Sequence, residues 1–123
     1  MSLKKIDVII SGGSGVIATN LRRKLCDLNI RALILSRQKV AINKNEQLHK
    51  YRLGEPLIVN DYELNRSQLT FFHLAHDFED RSSGENNINF VGLKIILSSL
   101  SFHKNVHIVY VSTPMKDNWI KNT

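Results

Sequence analysis

The run from Ile6 to Ala18, IDVIISGGSGVIA, restricts the fold of this chain more than any other. Val8, Ile9 and Ile10 form an apolar, β-branched stretch of the kind that fills a buried strand. Ser11-Gly12-Gly13-Ser14-Gly15 follows, and a helical pattern begins immediately after it. Gly12 can take a tight-turn conformation that a side chain resists. Gly15 lacks a Cβ and leaves the main chain open to close approach by an anion. Ala18 is small enough to let the helix lie against the strand. The first turn of that helix offers free N–H groups and the positive end of its dipole. Strand, glycine turn and helix in this order form the arrangement a dinucleotide pyrophosphate needs, with Gly12, Ser14, Gly15, Val16 and Ile17 around the phosphates. A glycine-rich turn in some other α/β protein is the alternative. A mononucleotide P-loop is disfavoured, because Val16, Ile17 and Ala18 stand where Lys-Ser/Thr would be needed.

The rest of the chain continues the alternation. Val16, Ile17, Leu21, Leu25 and Leu28 recur at three- and four-residue spacing, which predicts a helix over 15–28 that stops at Asn29. Residues 31–36 (RALILS) read as a buried strand, 38–47 as a polar loop, and 48–53 as a short strand broken by Gly54-Glu55-Pro56. Residues 57–69 suggest a short helix. LTFFHLA over 69–75 is a strand, 87–102 a second amphipathic helix, and VHIVYVS over 106–112 a strand stopped by Pro114. This pattern predicts an α/β fold: one Rossmann-type domain over 1–123, with a parallel sheet in the order 3-2-1-4-5 flanked by helices. Ligand then belongs beyond the carboxyl ends of the strands, where the order switches between the first and fourth. Ser11 to Gly15, Ser36-Arg37, Ala75-His76 and Ser112-Thr113 all fall at such ends.

Charge and cysteine content narrow the class. The 123 residues carry a formal charge of +6, which raises the question of a polyanionic partner. The cations are scattered, however. The one run of three, Arg22-Arg23-Lys24, fans out around a helix and reads as a solvated face, so nucleic acid is not expected. No apolar run approaches the ~20 residues of a membrane span, and none has the form of a cleavable leader. A single cysteine, Cys26, cannot form an internal disulfide and reads as a small half-buried helix residue. Cytoplasmic placement is the default expectation. No metal site is expected either: His73 and His76 fall on opposite faces of a strand, and His49, His103 and His107 have default structural roles.

Four segments together resemble the N-terminal part of an extended short-chain dehydrogenase/reductase of the NAD-dependent epimerase/dehydratase family. Gly12-Gly13-Ser14-Gly15-Val16-Ile17-Ala18 is similar to that family's GGxGxIG fingerprint, with alanine in place of the last glycine. His73-Leu74-Ala75-His76 resembles the HLAA segment after its fourth strand. NFVGLKIILSSL over 89–100 resembles its N-x-x-G-T-x-N-L-L-E-A helix, and Val109 to Thr113 resembles the strand ending in Ser-Ser or Ser-Thr. The resemblance implies a dinucleotide cofactor lined by the backbone of Leu74, Ala75 and His76. It implies a catalytic hydrogen bond from Thr113 to the substrate oxygen. In a complete enzyme it also implies a nucleotide-sugar substrate. Asn89 matches a position whose amide holds a helix and, in many members, a relay water; it is equally a polar residue at a helix start.

The departures from the family pattern bear on activity. The Tyr-x-x-x-Lys pair expected after the last strand is absent, and Tyr51, Tyr62 and Tyr110 do not stand in its place. If the protein ends at Thr123, the resemblance implies a cofactor half-site without its proton donor, and so a catalytically incomplete chain. A fifth strand left at the edge also predicts self-association, edge to edge or through helix faces.

Ser36-Arg37 bears on cofactor choice. An acidic residue after the second strand would accept from an unmodified ribose and repel a 2′-phosphate. A hydroxyl and a guanidinium there suit the phosphate, so NADP is expected over NAD. Three readings stand at this point. One is a part of an NAD(P)-dependent epimerase, dehydratase or reductase. The second is a non-catalytic dinucleotide module, a sensor or a subunit completed by a partner chain. The third is an α/β domain that binds no cofactor.

Overall fold

A computed structural model of the chain describes residues 5–75 and 86–110. Their elements run β1 (Val8–Ser11), α1 (Val16–Asp27), β2 (Ala32–Ser36), β3 (Glu46–Lys50), β4 (Leu69–His73), α2 (Ile88–Ser99) and β5 (Val106–Tyr110). The strands form one sheet in the order β3-β2-β1-β4-β5, and every pairing is parallel. This is the predicted order, with β1 between β2 and β4.

Burial follows from the pleat. Successive side chains of a strand point to opposite faces, so a central strand must be apolar on both. Val8–Ser11 and Ala32–Ser36 are buried at every position. Ile9, Leu33 and Phe71 are in lateral register and share one face. That face packs with Ile96 of α2, with Leu100 at its C-cap and with Leu57, Val59 and Leu64. The opposite face carries Val8, Ile10 and Ile34 and packs with Ala18 and Leu25 of α1. The helices therefore cover opposite sides of the sheet.

Helix α1 ends as its sequence suggests. Asn29 takes a left-handed conformation, φ 58°, and its N–H donates to Cys26 O, while Ile30 N–H donates to Leu25 O. These paired bonds satisfy two of the helix's terminal carbonyls, and asparagine tolerates the conformation better than most residues with a side chain. Helix α2 starts at an Asn87 cap, whose Oδ1 accepts from the Asn89 N–H at 2.9 Å.

The expected helix over 57–69 is not formed. Leu57 and Val59 are buried while Ile58 between them is 63% exposed, a two-residue period proper to extended chain. Leu64 then forms an isolated parallel bridge with Ile6. The third strand is also earlier than expected, at Glu46–Lys50.

Candidate functional site

The carboxyl ends of β1, β2 and β4 lie side by side, because the strands are adjacent and parallel. The glycine turn after β1, Ser36-Arg37 after β2 and Leu74-Ala75 after β4 therefore share one end of the sheet, at the point where the strand order reverses. His76, Ser112 and Thr113 lie outside the described residues.

The glycines of the turn differ in what holds them. Gly12 has φ +72°, and a Cβ there would come within 2.8 Å of Ala75 N and 2.9 Å of Leu74 C. The turn thus lies directly against the backbone that follows β4. Gly13 is buried, and a Cβ on it would collide with Cγ2 of Ile34 in β2. Gly15 is different: a Cβ there would meet only Gly12 O, at 3.7 Å. No neighbour among the described residues demands its missing side chain. It leaves open space at the start of α1.

Helix α1 begins with Gly15 as its N-cap, has no side-chain cap and carries no acidic residue in its first turn. Its N-terminal N–H groups and dipole are consequently directed outward with nothing anionic from the first turn to offset them. Ser14 and Gly15 are exposed, and the apolar side chains of Val16 and Ile17 are 79% and 59% exposed. Two large aliphatic residues thus stand exposed beside a helix start that has no side-chain cap.

Ser11 sets the junction between β1 and β4. Its Oγ is 2.7 Å from His73 Nδ1 and accepts from the N–H groups of Leu74 and Ala75 at 3.0 and 3.2 Å. His73 is fully buried and stacks on Tyr110 of β5, with ring centroids 5.5 Å apart. The register explains this cluster, since Ser11 pairs with His73 and His73 with Tyr110 across three strands. A buried, bonded and stacked histidine is part of the fold's interior, and its pairing with His76 lies outside the described residues. Among the described residues, no group of three or more His, Cys, Asp or Glu is placed to hold a metal ion.

At the end of β2, Ser36 is buried and its Oγ accepts from Gln38 N–H at 3.2 Å. This bond turns the chain out of the strand. Arg37 is exposed, and among the described residues its guanidinium has no hydrogen-bonding partner.

Arg22 departs from the sequence expectation. It is not part of a solvated face. Its Nε and Nη2 donate to the two carboxylate oxygens of Glu46 at 2.8 Å each, Nη1 donates to Gly13 O at 2.9 Å, and Nη2 to Ala41 O at 2.6 Å. The hydrogen bonds that Arg22 donates to Glu46, with the carboxylate's charge, raise the Arg22 pKa further against the opposing effect of burial. Burial pushes Glu46 upward, but its bonds to Arg22 and to Asn43 N–H, with the guanidinium charge, hold it below the usual carboxylate range. The signal for this clamp is present in the sequence: Ala18, Arg22 and Leu25 lie four and three residues apart, so Arg22 shares the buried stripe of α1.

Cys26 is half-buried and accepts a long contact from Asn45 Nδ2 at 3.8 Å. Asn89 is buried, and its Nδ2 donates to Asn87 Oδ1 at 2.9 Å, so it takes part in the start of α2. A cavity of about 570 Å³ lies between residues 59–66 and 102–105, lined by Tyr62, Arg66, Phe102 and Lys104 among others. It sits near the amino ends of β4 and β5, opposite the glycine turn. No helix among the described residues is long and apolar enough to cross a membrane.

Solved structures resemble this arrangement. A UDP-galactose 4-epimerase matches with a TM-score of 0.63 and 22% identity over 89% of this chain. A UDP-N-acetylglucosamine 4-epimerase from Bacillus cereus matches with a TM-score of 0.58 and 18% identity, again over 89% of this chain. The fold is Rossmann-like. The chain corresponds to only 38% and 40% of the lengths of those two proteins. No protein-family model matches the sequence, and no curated protein matches it.

Proposed function

We propose that this chain is the dinucleotide-binding portion of an NAD(P)-dependent protein of the epimerase/dehydratase type. The observation that carries the reading is Gly15. Its Cβ position is open, at the uncapped, acid-free start of a helix, at the switch point of a parallel sheet. A glycine that no described neighbour requires, placed where phosphate would approach the main chain, fits a pyrophosphate.

In this reading Gly12 and Gly15 shape the turn, and Ser14, Val16 and Ile17 offer backbone N–H groups and apolar cover. Leu74, Ala75 and His76 line the nicotinamide side of the cofactor. Ser36 and Arg37 face the adenosine ribose, where the exposed guanidinium favours the 2′-phosphate of NADP. The dinucleotide, when bound, supplies hydride acceptance and return. Thr113 would hold a substrate oxygen in a complete enzyme acting on a nucleotide sugar. Turnover would need a Tyr-x-x-x-Lys pair, supplied downstream in the protein or by a partner chain; the described residues account for binding. Association through the outer edge of β5, the outermost described strand, or through helix faces is the expected assembly, and sedimentation velocity tests it.

Titration calorimetry with NADPH and NADH tests dinucleotide binding. Saturable one-to-one binding, tighter for NADPH, is the expected result. Absence of binding for both at millimolar ligand would leave an α/β domain without a cofactor.

A further inference from the structure

Arg22 touches three places that are separate in sequence. It reaches back to the carbonyl of Gly13 in the glycine turn, out to the carbonyl of Ala41, and across to both carboxylate oxygens of Glu46 at the start of β3. The same Glu46 Oε1 accepts from Asn43 N–H at 3.0 Å. One guanidinium therefore ties the turn after β1 to the segment 37–45 after β2. Its fork geometry permits this, since five donors in a plane can serve a carboxylate and two carbonyls together. The ion pair is well shielded, with side-chain exposures of 13% for Arg22 and 2% for Glu46.

We propose that Arg22 is a positioning residue that couples the glycine turn to the segment following Arg37, so that the phosphate-facing and ribose-facing parts of the site hold one relative geometry. The proposal rests on the dinucleotide reading for its functional consequence but not for the coupling itself. Gly13 is held on its other side by Ile34 of β2, so releasing its carbonyl leaves the turn with that packing and the Gly15 N–H to Gly12 O bond at 3.2 Å. Segment 37–45 contains no strand or helix and relies on bonds of this kind. A dinucleotide spans both parts. Loss of the clamp should therefore weaken the pyrophosphate contact and blunt the choice between 2′-phosphate and 2′-hydroxyl.

The test uses Arg22→Met, Arg22→Lys and Glu46→Gln. Two readouts are taken: amide hydrogen exchange without ligand, and NADPH and NADH affinities. Arg22→Met is expected to speed exchange at 13–15 and at 37–45 together, with β4 and β5 unchanged. It is expected to weaken NADPH at least tenfold and NADH less. Arg22→Lys, whose ammonium is not a planar fork, should fall between Met and the wild type. Glu46→Gln keeps one acceptor oxygen and should move the same two segments by less; it decides the matter if Arg22→Met does not fold. Faster exchange in only one of the two segments, or an equal loss for both dinucleotides, would overturn the coupling. A wild-type protein that binds neither dinucleotide would overturn the proposed function instead, and exchange would still decide the coupling.

Discussion

Ser11 Oγ and His73 Nδ1, 2.7 Å apart, fasten β1 to β4 at the end of the sheet where the candidate site lies. The N–H groups of Leu74 and Ala75 occupy the acceptor positions of the same oxygen. A hydroxyl that already accepts twice has its proton left to give, so the network assigns Nδ1 of His73 as the acceptor. The same oxygen fixes where the chain leaves β4, and that backbone presses against Gly12. The turn after β1 and the path after β4 are thus set by one side chain.

Ser11→Ala removes the hub and leaves two N–H groups and a ring nitrogen without it. A buried polar group that loses its partner costs about 1–3 kcal/mol. Urea unfolding should show a loss of stability in that range, with the midpoint lowered and the slope unchanged. A loss smaller than about 0.5 kcal/mol would mean that the hydroxyl is not needed at this junction.

The glycines of the turn should separate folding from binding. Gly12→Ala forces an L side chain into a left-handed conformation, at a cost of about 1–2 kcal/mol. It also drives a methyl into the Leu74-Ala75 backbone, which cannot yield as a flexible side chain can. Gly15→Ala meets only Gly12 O, at 3.7 Å and φ −72°, so the unfolded-chain gain is set against alanine's weaker N-capping and stability should fall by no more than about 1 kcal/mol. NADPH affinity should nevertheless fall at least tenfold in Gly15→Ala. Thermal melts and calorimetry on the same samples check both halves, and unaltered affinity would argue against close approach of phosphate at this glycine.

Much of this arrangement is legible in the sequence because it is periodic or conformational. Two-faced apolar runs mark β1 and β2, the spacing of Leu21, Leu25 and Leu28 marks α1, and Asn29 marks its end. Segment 57–69 misleads because the seven-residue spacing of Leu57 and Leu64 fits a helix, while the two-residue spacing of Leu57 and Val59 fits extended chain. Only their burial against Ile6, Leu69 and the rest of that face decides between them. The role of Arg22 is hidden for another reason. Its partner Glu46 is 24 positions away, and nothing local announces that β3 will bring it alongside α1. A charge run reads as solvated until the stripe formed by Ala18 and Leu25 is followed through it.

Arg37→Glu should reverse cofactor preference without disturbing the fold. The side chain is exposed and without a polar partner among the described residues, so its replacement breaks no bond described for the folded protein. A carboxylate at this position would repel a 2′-phosphate and could accept from a ribose hydroxyl. The NADPH-to-NADH affinity ratio should drop at least tenfold, with the melting temperature held. An unchanged ratio would remove Arg37 from the recognition of the adenosine half.

Stability should fall at both ends of the pH range, for opposite reasons. Glu46 has a lowered pKa in the folded protein, so its contribution is present above the unfolded carboxylate pKa and is lost as pH falls through the folded value. Glu46→Gln should flatten that acid limb. Tyr51 is only 6% exposed and donates its hydroxyl to Glu55 O at 2.7 Å; burial, aided by the Glu55 charge, pushes its pKa up to about 12. An acid whose folded pKa is raised binds its proton more tightly when folded. Its contribution is therefore complete below about 10, the unfolded value, and is lost as pH rises toward 12. A rise of that size is worth at most on the order of 2–3 kcal/mol, and solvent screening reduces it. Tyr51→Phe should remove this alkaline limb at the cost of the Glu55 bond. Urea midpoints measured from pH 8 to 11.5 should then run flatter for the variant than for the wild type, and parallel curves would show that Tyr51 does not govern alkaline unfolding.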